Sequence, residues 1–307
     1  MNPYLDINRL EFILTERCTG RCKHCSAGEM VAHPKGTCVP EEAAVRAVRE
    51  LADMFDMQSV MTFGGEPLLY PEVTCAIHRA AKEDGIPKRQ LITNGFFSRD
   101  EKRIREVAQA LAEAGVNDLL LSVDGFHQET IPLDVVRTFA LAVKAAGMEK
   151  VRFQPAWVVN EGFDCPENTR TREVLAALAD TGVPVHEGND IFLAGNAIDN
   201  LSHYYPAAKL DMADCCGAMP YTEPLTHQTS LSIEANGGVS VCGFIIGNVC
   251  EESMRDIVAR YDPFADEGMR AAAEGVPGLL ALAEKRGIRV DMARVYSVCD
   301  LCRMVNK

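Results

Sequence analysis

The sequence LEFILTERCTGRCKHC, residues 10–25, joins a short apolar run to three closely spaced cysteines. Residues 10–15 predict a β-strand, because the run is brief and contains aromatic and β-branched side chains. The loop that follows carries Cys18, Cys22 and Cys25, three thiols within eight residues. Such a density of thiols in one loop indicates a bound metal.

Two kinds of metal site are compatible with these thiols. A structural zinc ion takes four protein ligands, and the next cysteine, Cys38, is separated from the three by a stretch that contains glycine and proline. A 4Fe–4S cluster held by three thiolates leaves one iron without a protein ligand. A small molecule with adjacent amine and carboxylate groups can chelate that iron.

The spacing of three residues and then two, after a first β-strand, resembles the signature of the radical S-adenosylmethionine (radical SAM) superfamily. The resemblance implies a 4Fe–4S cluster with an open iron on Cys18, Cys22 and Cys25, and S-adenosylmethionine as the cofactor. It also implies reductive cleavage of the cofactor to methionine and a 5'-deoxyadenosyl radical, which abstracts a substrate hydrogen. His24 stands where the family usually has an aromatic residue near the adenine, so it is a candidate cofactor contact.

Apolar, β-rich runs recur about every thirty residues as far as residue 190, with amphipathic stretches between them. This alternation predicts an α/β fold with six parallel β/α units, arranged as a partial (β/α)6 TIM-like barrel. A doubly wound open sheet has the same local pattern and stays open as an alternative. Ser98 is a candidate cap for the helix that ends before Gly115. The predicted strands are residues 10–15, 59–63, 89–93, 118–123, 151–158 and 183–187.

Beyond about residue 190 this alternation stops. Residues 236–238 indicate a hairpin turn, and residues 251–260 and 268–286 predict helices. We therefore divide the chain into a barrel domain, residues 1–190, and a small C-terminal α+β domain, residues 191–307.

Polar motifs follow the predicted strands, where a parallel barrel carries its functional groups. Residues 64–67 read GGEP and resemble a family motif in which glycine backbone and a glutamate approach the amino group of the cofactor. Asn94 after the third strand, and Ser122 and Asp124 at the end of the fourth, resemble family positions that touch the cofactor. Asn-Gly and Asp-Gly also favour ordinary turns, so both interpretations are open at these positions.

In the fifth strand, Gln154 or, in a shifted register, Arg152 points into the barrel, and alternation alone does not choose between them. The predicted cofactor contacts are His24, Gly64, Gly65, Glu66, Pro67, Asn94, Ser122, Asp124 and Gln154.

A second set of cysteines lies in the C-terminal region. A glycine stands four residues before Cys242 in the predicted hairpin, and Cys299 and Cys302 form a C-x-x-C pair. This arrangement resembles the auxiliary-cluster subdomain called twitch, and it implies a second 4Fe–4S cluster held by four thiolates. The longer relative of twitch, called SPASM, needs further cysteines after the pair, so we expect two clusters in total. A structural zinc site on the same cysteines is the alternative.

The fourth auxiliary ligand is Cys216 or its neighbour Cys215, and Cys250 is a further candidate. Whichever of Cys215 and Cys216 is not a ligand is a candidate hydrogen-atom donor to a substrate radical, as an epimerase needs. An inert thiol is the other interpretation.

The combination of a barrel and a twitch subdomain implies modification of a ribosomally made peptide, by epimerisation or crosslinking, or oxidation of a small metabolite by a dehydrogenase. Peptide modification is the first hypothesis. The first strand begins near residue 9, which leaves no space before it for a fused leader-peptide-binding domain, so we expect either a separate recognition protein as a partner or recognition by the mouth of the barrel. An external donor such as a flavodoxin or ferredoxin would supply electrons. A non-enzymatic electron carrier or zinc scaffold is the rival from another class.

The composition excludes some partners. Acidic residues number 44 against 31 basic ones, a net charge of -13, and no basic cluster makes a surface for nucleic acid. No signal peptide or membrane span is recognisable, so we expect a cytoplasmic protein without membrane contact. Twelve cysteines in a reducing compartment again favour metal binding.

Overall fold

A continuous β-sheet forms from the apolar runs that the sequence predicts as strands. The computed structural model describes residues 2–28, 36–219 and 222–306. Short apolar runs that alternate with amphipathic helices bury one face of each strand, which is why these segments pair side by side. The strands are β1 Leu5–Ile13, β2 Ser59–Phe63, β3 Lys88–Thr93, β4 Asp118–Ser122, β5 Lys150–Gln154, β6 Ala156–Trp157, β7 Asn189–Asp190, β8 Gln228–Ile233, β9 Gly238–Val241 and β10 Phe244–Asn248.

The main sheet has eight strands in the order β10-β9-β8-β1-β2-β3-β4-β5. Strands β1 to β5 are parallel in chain order, and β8 pairs with β1 in parallel on the other side. The predicted hairpin is confirmed, because β8 and β9 are antiparallel and Gly237 turns the chain between them with φ of 86°. Pairing therefore continues without a break between the two predicted parts of the chain.

The prediction of an extended sixth strand at residues 183–187 is wrong. Val185 makes a single parallel bridge to Phe153, in which Phe153 N donates to Pro184 O at 2.9 Å. Proline has no N–H to continue a ladder, so the pairing stops there. Pro155 likewise divides the predicted strand 151–158 into β5 and the short β6, which pairs with β7 instead.

The helices lie between the strands and pack against one face of the sheet. Leu10 and Phe12 of β1 share a hydrophobic core with Ala47 and Leu51, and Leu119 shares another with the helices that follow β3 and β4. No helix in the described parts of the chain is long and apolar enough to cross a membrane. The helices are α1 Glu41–Met54, α2 Pro71–Glu83, α3 Glu101–Ala114, α4 Leu133–Ala145, α5 Pro166–Ala177, α6 Asn196–Leu201, α7 Met254–Arg260, α8 Glu267–Ala273, α9 Val276–Lys285 and α10 Val298–Val305.

Two helix ends differ from the predictions. Asp100, and not Ser98, caps α3, because its carboxylate accepts a hydrogen bond from Lys102 N at 2.9 Å. The predicted helix 268–286 is two helices, since Gly275 adopts φ of 76° between α8 and α9.

The opposite face of the sheet, which we call the open face, carries a polar row across four strands. Glu11, Met61, Gln90 and Asp118 are in register on β1 to β4. None of them belongs to the hydrophobic cores that contain the helices, yet Met61, Gln90 and Asp118 are only 6%, 6% and 4% exposed. The side chains of the open face therefore cover one another.

Candidate functional site

The three amino-terminal cysteines lie on the loop that leaves the carboxyl end of β1. A Cβ atom built on Gly20 would lie 3.3 Å from Cys22 Sγ and 3.6 Å from Cys18 Sγ, so the two sulfurs flank this glycine. Gly20 N donates to Cys18 Sγ at 3.3 Å, and Cys25 N donates to Cys22 O at 3.2 Å. Burial raises the pKa of Cys18 to about 11, which leaves it a thiol in the absence of a metal.

Gly64 and Gly65 bring the loop after β2 against the cysteine loop. Both have positive φ, 82° and 57°. A Cβ on Gly64 would lie 2.8 Å from Ile13 Cα, and a Cβ on Gly65 would lie 2.5 Å from Thr15 O and overlap the carbonyl oxygen of Arg17. The glycines thus permit a close approach between two loops of the chain itself, and their predicted approach to the cofactor stays a prediction. Pro67, two residues after Gly65, begins a short 3₁₀ turn and is buried.

We predict that Gly65→Ala destabilises the protein by about 3 kcal/mol or more, because the methyl group meets backbone and φ is left-handed. Gly85→Ala is the matched control: Gly85 also has positive φ, 74°, but a Cβ there meets nothing within 4 Å. It should cost only about 1–2 kcal/mol. Urea denaturation measures both, and equal losses would refute the close packing of the two loops.

Glu66 joins three loops through its buried carboxylate. Oε1 accepts from Leu68 N at 2.9 Å and from Thr93 Oγ1 at 2.6 Å, and Oε2 accepts from Asn94 N at 2.8 Å. Glu66 N in turn donates to Arg17 O at 2.8 Å, on the cysteine loop. Burial raises the pKa of Glu66 above its usual value, and these hydrogen bonds offset only part of that rise. The structure therefore shows Glu66 fixing the loops after β1, β2 and β3 to one another.

Asn94 continues this connection to the first cysteine. Its Nδ2 donates to Cys18 Sγ at 3.7 Å and to Thr19 Oγ1 at 3.2 Å, and its Oδ1 accepts from Phe96 N at 2.8 Å. Asn94 thus touches a predicted metal ligand directly. A cofactor contact by the same side chain stays a prediction.

Asp124 is fully buried after β4 and has chain donors on both oxygens. Oδ1 accepts from Phe126 N and His127 N, and Oδ2 accepts from His127 Nδ1 at 2.8 Å and Ala156 N at 3.2 Å. Burial raises the pKa of Asp124, but the neighbouring His127 and His24 outweigh burial and lower this pKa to about 2. Asp124 is therefore a turn-forming residue in the structure, as its Asp-Gly sequence also indicated, and a role at the cofactor stays a prediction.

His127 is a residue that the sequence did not single out. Its ring approaches Cys22 and His24, and the ligand atoms of these three residues all lie within 4.8 Å of one another. Burial lowers the pKa of His127, but Asp124 and Cys22 outweigh burial and raise it well above its usual value. A histidine three residues after an aspartate has no distinctive spacing, so only the fold reveals this neighbourhood.

His24 lies inside the fold, against Phe126 at 4.8 Å between ring centroids. It is not a solvent-facing loop residue. Burial lowers its pKa to about 4, and its Nδ1 has no hydrogen-bond partner within the described ranges. A buried, neutral imidazole with a free nitrogen is compatible with the predicted cofactor contact.

Arg152 and Gln154 both lie on the open face. The sequence treated them as alternatives, which is wrong, because residues two apart on a strand share a face. Gln154 pairs in register with Ser122, which is half-buried, and Arg152 pairs with Leu120 one layer deeper. Gln154 is 7% exposed and its Oε1 has no partner in the described chain.

Four C-terminal cysteines lie near one another. The neighbouring Cys242 lowers the pKa of Cys216 to about 7, and Cys216, burial and the nearby Cys299 and Cys302 together raise the pKa of Cys242. Cys299 and Cys302 are three residues apart on α10, so they face the same side of the helix. Cys242 itself adopts a left-handed φ of 51°.

Cys215 and Cys250 are placed differently. Both are exposed, as Cys242 also is, but Cys250 lies at the hairpin turn, with its Sγ 4.0 Å from Asn236 O. Of the three candidates for the fourth auxiliary ligand, Cys216 is the one whose thiol raises the pKa of Cys242.

Comparison with known proteins finds similarity to one family in the amino-terminal part of the chain. Residues 12–152 match the family model described as the Radical SAM superfamily. A protein of Limosilactobacillus fermentum named GTP 3',8-cyclase is 32% identical over 117 residues, 38% of this chain and 33% of that protein. The protein of the same name from Aquifex aeolicus is 33% identical over 122 residues, 39% of this chain and 36% of its own length. The chain thus spans about a third of the length of these curated relatives.

Solved structures share the fold over nearly the whole chain. Native anSMEcpe with bound AdoMet has a TM-score of 0.53 at 14% identity, and the match covers 98% of this chain and 95% of that one. A histidine-tagged form of that protein, also with bound AdoMet, gives a TM-score of 0.52 at 13% identity, over 99% and 92% of the two chains.

Proposed function

We propose that the protein is a radical SAM enzyme with its reactive cluster on Cys18, Cys22 and Cys25, because residues 12–152 match the family model described as the Radical SAM superfamily. The observation that carries the proposal is the position of the three thiols at the carboxyl end of β1, within a domain that matches this family. When bound, the 4Fe–4S cluster and S-adenosylmethionine would supply a 5'-deoxyadenosyl radical that abstracts a substrate hydrogen.

The donor set fits such a cluster. Three thiols come from one loop, and Asn94 donates a hydrogen bond to one of their sulfurs, which is a common way of tuning a cluster. Glu66 and Gly65 hold that loop against the loops after β2 and β3, so the ligands are placed by the fold before metal binds. His24 lies in the cysteine loop and Ser122 and Gln154 end β4 and β5; together with Asn94 and Asp124 they are proposed cofactor contacts.

We also propose that strands β1 to β5 curve into a partial barrel, with a twitch-type domain from residue 191 onward. The buried open face supports the curvature, because side chains that no helix covers become buried when a sheet closes on itself. The anSMEcpe structures support the α/β fold.

A second 4Fe–4S cluster on Cys216, Cys242, Cys299 and Cys302 is the further part of the proposal. The proximity of these thiols supports it, and four thiolates without an open iron suit electron transfer. Zinc fits the same donors, and metal analysis separates the two. In this arrangement Cys215 is the spare, exposed thiol, and a role as hydrogen-atom donor rests on its position next to Cys216.

A small polar molecule is the substrate that we propose, and oxidation of it by a dehydrogenase is the proposed reaction. The names of the relatives refer to a nucleotide, and none of them supports the peptide substrate expected from the sequence. Peptide epimerisation or crosslinking, with a separate leader-recognition protein, is therefore the second hypothesis. A flavodoxin or ferredoxin remains the proposed electron donor.

The test uses anaerobically reconstituted, reduced wild-type protein with S-adenosylmethionine. We expect 5'-deoxyadenosine by chromatography and, with the true substrate, a product lighter by two hydrogens. An unchanged mass with uptake of solvent deuterium into a peptide would support epimerisation instead. The absence of 5'-deoxyadenosine would leave the electron carrier or zinc scaffold as the better description.

A further inference from the structure

We propose that Arg152 on the open face binds an oxyanion, a carboxylate or phosphate group, of the substrate. The inference rests on the proposed function, because it assigns the substrate subsite of that enzyme. It starts from a donor that has no acceptor. Arg152 Nε is shielded from solvent and finds no hydrogen-bond partner in residues 2–28, 36–219 and 222–306. A buried charged donor left without an acceptor destabilises the protein, and a ligand oxygen would remove that cost.

The charge around Arg152 is positive. Its guanidinium forms an ion pair with Asp118, whose other oxygen accepts from Gln90 Nε2 at 2.8 Å and lies 3.5 Å from Lys88 Nζ. Two cations therefore share one carboxylate. The other acidic residue of the row, Glu11, is paired with Arg9 at 2.5 Å.

This local excess of positive charge stands out in a chain with a net charge of -13. An acidic protein repels anions over most of its surface, so an anionic ligand needs a local cationic site. The guanidinium presents several N–H donors in one plane, a geometry that matches the two oxygens of a carboxylate or phosphate. Only part of this fork is used by Asp118.

The position suits a substrate that lies beside the cofactor. Arg152 is two residues before Gln154 on the same face of β5, which places it about 7 Å deeper than the strand end. Gln154 and Ser122 are proposed to contact the cofactor at that end. An oxyanion held by Arg152 would therefore leave the rest of a small molecule directed toward the cofactor, with its reacting C–H close to it.

The test measures anion binding by calorimetry on the reconstituted holoprotein with S-adenosylmethionine, in a buffer low in chloride. Inorganic phosphate and acetate are the probes, and their relative affinities show which kind of oxyanion the site accepts. We expect one site in the wild type and an affinity at least about tenfold lower for Arg152→Met, with an intermediate value for Arg152→Lys, which keeps the charge and loses the fork.

Arg137→Met is the matched control, because Arg137 also pairs with an aspartate, Asp180, but lies on α4 away from the open face. It should bind the probes like the wild type. If Arg152→Met fails to fold because Asp118 is left unpaired, Asp118→Asn/Arg152→Met removes that charge and should show the same loss.

No binding of either probe to the wild type, or equal binding by all variants, would overturn the inference. The readout needs no radical chemistry. A wild type that binds anions and forms no 5'-deoxyadenosine would therefore refute the proposed function and leave the anion site standing.

Discussion

Replacing Cys18, Cys22 and Cys25 together by alanine should lower the iron content from about eight to about four atoms per chain and abolish formation of 5'-deoxyadenosine. The reason is that the reactive cluster has no ligands outside this loop in the proposed enzyme, whereas the C-terminal thiols are untouched. Iron and sulfide are measured on anaerobically reconstituted protein, and cleavage is measured in the same samples.

The matched control replaces Cys38, Cys75 and Cys165 by alanine. None of these three thiols is a proposed ligand of either cluster, although Cys165 packs in the same hydrophobic cluster as Cys22 and Cys25, so both clusters and cleavage should persist. A fall from about four irons to none in the first variant, or zinc in place of iron, would mean that the C-terminal cysteines hold no iron–sulfur cluster. Unchanged cleavage would refute the assignment of the reactive cluster.

Cys216→Ser should remove the auxiliary cluster, about four irons, while Cys215→Ser and Cys250→Ser should each retain it. The physical basis is the proximity of Cys216 to Cys242, Cys299 and Cys302, whose pKa values it raises. Cys215→Ser is the closest control available, since it changes an exposed neighbour in the same segment. The spectrum of the reactive cluster should remain in all three variants.

The result is decisive for the fourth ligand. Loss of the same irons in Cys250→Ser, with Cys216→Ser intact, would move the ligand to the hairpin turn and contradict the arrangement in the structure. If Cys215→Ser keeps its irons and loses product formation but not cofactor cleavage, the spare thiol acts as a hydrogen donor.

The strands around the candidate site were largely predictable from the sequence. The strand 59–63 is confirmed residue for residue, and the runs at 89–93 and 118–123 differ from β3 and β4 by one residue at an end. These runs are apolar, short and bounded by turn residues, so the local pattern and the packing agree. The predicted strands 151–158 and 183–187 are wrong at the positions where proline removes the backbone N–H that pairing requires.

The roles of the site residues were less predictable, because they depend on contacts between loops far apart in sequence. The GGEP motif was expected to face the cofactor. In the structure, a side chain at Gly64 would collide with Ile13 of β1, and one at Gly65 would collide with the backbone of the loop that follows β1. His127 has no sequence signal, since its neighbours Cys22 and His24 are more than a hundred residues away. The choice of the fourth auxiliary ligand among Cys215, Cys216 and Cys250 also depended on the three-dimensional structure, because sequence spacing does not show which thiols lie near one another.

The pairing of β8 with β1 has a consequence for biosynthesis. During translation β1 is made first, and its second neighbour, beginning at Gln228, emerges roughly 10 to 40 seconds later at ordinary ribosomal speeds. Throughout that interval one edge of β1 has free N–H and C=O groups, which are a template for wrong pairing between nascent chains. The strand that leads into the cysteine loop therefore gains its second neighbour only when the last quarter of the chain has been made.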